Sequence, residues 1–368
     1  LTLIGFRRYL TAPTRRNLMI TGVVAGGAFL SKFSAILLFP VMALIALVSG
    51  KLKEIAPSKA AAFFLVCFLT VWAGYFFEVK PLLKNTPHPE KKTAFLQKIG
   101  GAPLVRFARE TPLPLSTFAS AFAGMTLTRA EGTNAFLLGE RSRKGWWYYY
   151  AVAFAVKNTL PFILLCLLSF VFIGKLGLDR VTRATLCVPV VFFFAATLGD
   201  RAQAGIRYFL PIYPFLFVLG AGTLACLWRK NRVWRFLAAG LLLWHAGEAL
   251  RISPHYLAYF NESVGGPRNG YKVLRDSNID WGQGLKELGQ FIQEQGYGEV
   301  VLSFHDAADP SYYGIPARPP RAEEFKTPGN TVYAIGAHFL DAFEWTRTAA
   351  PTRVIGYSVF VYDFRKKV

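Results

Sequence analysis

Four cations in this chain stand where apolar sequence surrounds them. Lys32 sits in Ser-Lys-Phe-Ser, inside residues 18–50, a run that is otherwise almost wholly apolar. Lys157 lies in YYYAVAFAVKNTLPF, with Asn158 and Pro161 just behind it. Arg201 and Arg207 flank the short segment that leads into RYFLPIYP. A charge taken into hydrocarbon costs several kcal/mol, so it persists where it serves a partner. A guanidinium at interface depth suits bidentate contact with phosphate, and an ammonium suits it as a point charge. The competing reading of each is a headgroup anchor whose stem snorkels to the surface.

A second constellation is FLLGERSRKGWWYYY, residues 136–150, which joins Glu140 and three cations to Trp146, Trp147 and three tyrosines. Such a cluster reads either as an aromatic belt at a membrane interface or as a platform for sugar rings. His88, His255, His305 and His338 are scattered without metal-ligand spacing, and His245 lies in an apolar run, so no metal site is expected. Cys67, Cys166, Cys187 and Cys226 all fall in apolar runs and read as small buried hydrophobes.

The elements that must position these groups follow from composition. Hydrophobic residues make up 53% of the 368, and the mean hydropathy is +0.32. Apolar runs long enough to cross roughly 30 Å of hydrocarbon occupy about 60–77, 149–173, 185–199, 208–228 and 236–252. The fold class expected is a polytopic α-helical membrane protein. As a single helix, residues 18–50 would run about 50 Å, too long for one crossing without steep tilt. Two short helices bent at Ser31–Ser34 fit better and place Lys32 near the extracytoplasmic side, for about seven membrane segments in all.

Charge sets the orientation. Residues 1–253 carry 30 Lys and Arg against 9 Asp and Glu; residues 254–368 carry 12 against 13. The short loops 1–17, 51–59, 175–184 and 229–235 are basic, which assigns them to the cytoplasmic side. The long segment 79–147 and the C-terminal portion then lie outside. The long segment holds weakly amphipathic stretches expected to form interfacial helices. From 254 onward the sequence reads as a small extracytoplasmic α/β domain: an amphipathic helix over 280–296 and strands at 298–304, 331–337 and 354–364. Membrane lipids are expected contacts. Nucleic acid is not, since the positive charge is distributed between membrane runs.

Four segments carry a resemblance: GGAFLSKFSAILLFP (26–40), FLLGERSRKGWWYYYAVAFAVKNTLP (136–161), IRYFLPIYPFL (206–216) and YFNESVGGPRNGYKVLRDSNIDWGQGLKEL (259–288). In these the chain resembles the bacterial relatives of dolichyl-phosphate-mannose protein mannosyltransferases, membrane glycosyltransferases of the GT-C fold. The resemblance implies an enzyme of the bacterial cytoplasmic (inner) membrane that moves a sugar from a polyprenyl-phosphate donor to an extracytoplasmic acceptor, protein or glycan. It implies a carboxylate base in a first extracytoplasmic loop that would precede Leu1, so that this stretch alone would be inactive. Lys32 and Arg207 match residues placed to neutralise donor phosphate, with Arg201 and Lys157 as helpers. Glu140, Trp146, Trp147, Asn278, Asp280 and Trp281 fall in the substrate and acceptor region. For Asp280 the alternative is a cap on the helix that follows. Asn261-Glu262-Ser263 is a sequon expected to be fortuitous. No cofactor is assigned, and a divalent cation stays open. The competing functions are a transporter of lipids or lipid-linked sugars and a non-catalytic glycolipid-binding membrane protein.

Overall fold

The computed structural model describes residues 1–84, 86, 89–304 and 308–365; His88 and His305 lie outside them. The chain is mostly helical, with a small sheet region near its C-terminus. In chain order the first elements are α1 (Thr2–Thr11), α2 (Arg15–Ser31), α3 (Leu38–Val48), α4 (Pro57–Gly74), β1 (Val79–Pro81), α5 (Pro89–Glu110), β2 (Pro112–Pro114) and α6 (Ser116–Glu131). Then come β3 (Ala135–Leu137), β4 (Glu140–Ser142), α7 (Tyr149–Lys157), α8 (Leu160–Phe172), α9 (Arg180–Thr197), α10 (Tyr213–Trp228) and α11 (Arg232–Ile252). The last are α12 (Pro267–Gly270), α13 (Leu285–Glu294), β5 (Val300–Ser303), β6 (Ala317–Arg318), β7 (Val332–Gly336), β8 (Arg353–Ile355) and β9 (Val359–Asp363).

The chain forms two compact units: residues 1–132, 172–196 and 214–219 in the first, and 133–171, 197–213 and 220–368 in the second. In the first unit the apolar run 18–50 is broken at Ser31–Ser34, where the bend was expected. Helix α2 stops at Ser31, Lys32 is extended (φ −161°), and a 3₁₀ turn over Phe33–Leu37 leads into α3. Helices α2 and α4 touch through backbone. A Cβ on Gly22 would meet Val66 Cγ1 at 2.8 Å, and one on Gly26 would meet Thr70 Cβ at 2.5 Å. Two glycines four apart therefore form the contact stripe, as small residues do where helices pack in lipid. The segment 79–147 contributes α5 and α6 to this unit, and α5 kinks at Gly101 (φ +64°).

Three helical runs are long and apolar enough to cross a membrane: Pro57–Gly74, Arg180–Thr197 and Ile206–Trp228. A fourth candidate is the pair α7 and α8 taken together. The run expected over 149–173 is thus not one helix: it bends by 115° after Lys157. Asn158 is extended there (ψ 149°), and Pro161, lacking an N–H, can occupy only the first turn of a new helix. Helix α11 has the length of a span but carries Arg232, Arg235, Glu248 and Arg251 and stays outside that set.

In the second unit the sheet order is β6-β5-β7-β9-β8. Strand β5 pairs parallel with β6 and β7, and β9 pairs antiparallel with β7 and β8. The single strand expected over 354–364 is instead the hairpin β8–β9. It turns at Gly356 and Tyr357, both with positive φ (+53° and +61°), the conformation that joins two strands without splaying them. The predicted helix is shorter than expected and begins at Leu285. It lays Leu285, Leu288 and Ile292 on Val300, Val332 and Val361 of the sheet.

Candidate functional site

In the segment Arg275–Trp281 four polar residues, Arg275, Ser277, Asn278 and Asp280, are buried. Asn278 is fully buried, and its amide uses both ends. Its Oδ1 accepts the N–H of Ile206 at 2.9 Å, and its Nδ2 donates to Tyr149 Oη at 2.9 Å and to the Arg275 carbonyl at 3.1 Å. Ser277 Oγ donates to the Ala204 carbonyl. Both contacts require a close approach at Gly205, whose φ of +92° and ψ of 173° fall in a region essentially reserved for glycine. SNID therefore clasps the start of the apolar run Ile206–Trp228 and fixes where Arg207 emerges.

Arg207 is half-buried. Its guanidinium lies 4.9 Å from the Trp281 ring centroid and 5.6 Å from that of Tyr208, within cation–π range of both. Its Nε is buried and has no hydrogen-bond partner among the described residues. The orphaned donor costs about 1–3 kcal/mol, and the rest of the half-buried guanidinium is a delocalised cation suited to an anionic oxygen.

Lys157 has a different role. Its Nζ donates to the carbonyls of Leu257 (2.7 Å) and Asn278 (2.6 Å) and lies 4.3 Å from the Phe260 ring centroid. Two of its three donors are thus committed to backbone. Asn261 completes the same joint. Its N–H takes the Val156 carbonyl at 2.9 Å, and its Nδ2 takes the carbonyls of Ala155 and Asn158 at 2.6 and 2.7 Å. These are last-turn carbonyls of α7, which no intrahelical donor reaches. The sequon asparagine is thus a fully buried helix cap.

Asp280 corrects the capping alternative. It is buried, and its Oδ1 accepts the Gly282 N–H at 2.9 Å. Helix α13 starts later, with Gly284 at its N-cap and no side-chain cap. Asp280 shapes the turn that presents Trp281, which is 44% exposed.

The 136–150 constellation separates into parts. Strands β3 and β4 form a hairpin joined to residues 273–274, just before Arg275, by a bridge between Leu137 and Leu274. The Arg275 guanidinium carbon stacks 4.0 Å from the Phe136 ring centroid, and Asp341 takes both Arg275 (2.8 Å) and Arg141 (3.1 Å). Burial raises the Asp341 carboxyl, but the two guanidinium groups hold it below its ordinary value. Glu140 is exposed at the hairpin rim, and Trp147 is exposed as well. Trp146 is held by its backbone: Gln203 Oε1 accepts its N–H at 3.0 Å and Gln203 Nε2 donates to its carbonyl at 2.6 Å.

Arg201 is exposed in the second unit, and Lys32 is exposed in the first. The second unit thus brings together Arg207, Trp281, Asn278, Asp280 and Lys157. Tyr149, Gln203 and Gly205, which the sequence reading passed over, hold that arrangement; the positive-φ demand at Gly205 is the one signal with a trace in sequence. Among the described residues no group of three or more His, Cys, Asp or Glu side chains gathers. No family model, curated protein or solved structure matches this chain.

Proposed function

We propose that the protein is an integral-membrane glycosyltransferase that takes a sugar from a polyprenyl-phosphate donor and delivers it to an extracytoplasmic acceptor. The observation that carries this reading is Arg207. Its unpartnered buried Nε, the flanking rings of Tyr208 and Trp281, and its place at the head of a 23-residue apolar run join phosphate, sugar and lipid chemistry at one point. The polyprenyl phosphate is the leaving group, so a fixed cation there lowers the barrier as charge develops on it. Arg201, in the same unit, is a further cation for the donor, and a divalent ion is compatible with the chemistry. The apolar helices are proposed to cross the bacterial cytoplasmic membrane, with the sheet outside.

One observation favours a second reading. The 115° break between α7 and α8, with Lys157 at its edge, is the kind of discontinuous helix that transporters use at a substrate site.

The experiment follows label from a radiolabelled polyprenyl-phosphate sugar in membranes carrying the protein expressed from its complete coding sequence. Transfer that falls about 10²-fold in Arg207→Ala, the scale of losing one fixed donor to a developing anion, and is not rescued by Arg207→Lys, supports the transferase. Label that crosses the membrane but stays on its lipid supports the transporter and refutes transfer.

A further inference from the structure

A groove of about 700 Å³ opens in the second unit between the residues after α11 and the first turns of α13. It is bordered by Trp281, Tyr256, Gln283, Glu287, Gln290 and His255. Its size lies within the range of small-molecule sites, and its chemistry is mixed: two aromatic rings, two side-chain amides, an imidazole, the Glu287 carboxylate and the Lys286 ammonium. Tyr256 is 59% exposed and Trp281 44%, so both rings are open to a ligand in the groove.

The indole is held in place before any ligand arrives. Gln283 Oε1 accepts the backbone N–H of Trp281 at 2.7 Å, and Gln283 Nε2 donates to the Ile279 carbonyl at 2.8 Å, so one amide staples the backbone turn that carries the ring. Arg207 stacks at 4.9 Å, which fixes the indole further. Helix α13 turns its apolar residues to the sheet and leaves Glu287 and Gln290 on the groove. Glu287 reaches His255 Nε2 at 3.7 Å, and His255 is braced edge-on against Tyr357 at 5.6 Å between centroids.

Sugar rings have apolar faces and a rim of hydroxyls that both donate and accept. Fixed aromatic faces match the first, and amides and carboxylates match the second. A peptide would call for apolar pockets at alternate positions or an open strand edge; here the adjacent stretch of Pro254 and Leu257 supplies the apolar lining, and none of the bordering residues belongs to a strand. We infer that the groove binds an oligosaccharide, and that this glycan is the acceptor. The assignment of acceptor rests on the transferase reading: a ring seated on Trp281 lies directly beside the cation that reading places on the donor phosphate.

The test presents the full-length detergent-solubilised protein to an array of immobilised oligosaccharides and, separately, of hydroxyl-bearing peptides. Expected is saturable binding of at least one oligosaccharide, weakened about tenfold or more by Trp281→Ala, the scale of one lost stacking contact. Gln290→Ala weakens it too, while Trp281→Phe retains it. Three results overturn the inference: no oligosaccharide bound, oligosaccharide binding indifferent to Trp281→Ala and Gln290→Ala, or Trp281-dependent binding of peptide in place of glycan. The transfer assay is scored independently. Glycan binding without sugar transfer refutes the transferase and the acceptor role but leaves the carbohydrate site standing. Transfer without glycan binding refutes the groove alone.

Discussion

Gly205→Ala tests whether SNID and the start of the 206–228 run act as one joint. A Cβ at this position would lie 2.9 Å from Ser277 Oγ and 3.0 Å from Asn278 Oδ1, with the backbone at φ +92° and ψ 173°. Holding alanine in that region costs about 1–3 kcal/mol. Asn278 cannot yield without breaking its bond to the Ile206 N–H, and a buried amide left without a partner costs about 1–3 kcal/mol more. The expected total is about 2–6 kcal/mol, a large part of an ordinary folding free energy. In a thermal unfolding scan of the purified protein this is a loss of order 10 °C. Gly139→Ala is the control. Its φ is also positive (+96°), but nothing lies within 4 Å of its added Cβ, so it carries strain without the collision and is the milder of the two. Equal shifts for both variants, or a Gly205→Ala protein as stable as wild type with Arg207-dependent donor binding intact, would refute the clasp.

Lys157→Met, which keeps the length of the stem, strands the carbonyls of Leu257 and Asn278 and is expected to cost about 3 kcal/mol; a stable variant that loses only donor binding would return Lys157 to the phosphate. In α2, Gly26→Ala drives a methyl into Thr70 and separates α2 from α4, whereas Gly27→Ala meets nothing within 4 Å and gains about 0.5–1 kcal/mol of helix propensity; thermal scans of the two variants must move in opposite directions. Glu324 is held down to about 2, first by the hydrogen bonds from Arg318, and the pair is closed at 2.6 Å. A depressed carboxylate contributes stability that is complete above the ordinary value of about 4.3 and is lost as pH falls through about 2. Glu324→Gln is therefore expected to unfold earlier than wild type at pH 6, by about 3 kcal/mol, with the gap closing between pH 4 and pH 2; a constant gap would refute the linkage.

What could be read from sequence was what is local. The break at Lys32 was legible because 33 apolar residues exceed one crossing and the only charge marks the bend. The core face of α13 was legible from its 3.6-residue period. The bend after Lys157 was legible in part, since Asn158 and Pro161 weaken a helix, but nothing nearby indicated 115°. The joint at Asn278 was not legible. Its bond to Ile206 spans 72 residues and that to Tyr149 spans 129, and no period or propensity reports on such pairings. The division of 354–364 into two strands was missed because Gly356-Tyr357 sits in an apolar, aromatic run that imitates one long strand.

The polar joints share a physical cause. Where a helix breaks in or near hydrocarbon, its freed carbonyls and amides need partners that lipid cannot supply. At the end of α7 the carbonyls of Ala155, Val156 and Asn158 find their donors in Asn261. At Gly205–Ile206 the partner is the side chain of Asn278. All of these come from beyond residue 253, so the C-terminal portion is not an appendage that helical segments merely carry. It supplies the hydrogen bonds that let two helices break where they do, which is why the second unit takes in α7, most of α8, and α11 together with the sheet. A chain cut at 253 would keep its apolar runs and lose the groups that satisfy their ends. Arg207 would then have no fixed direction, and the feature on which the proposed chemistry depends would disappear with it.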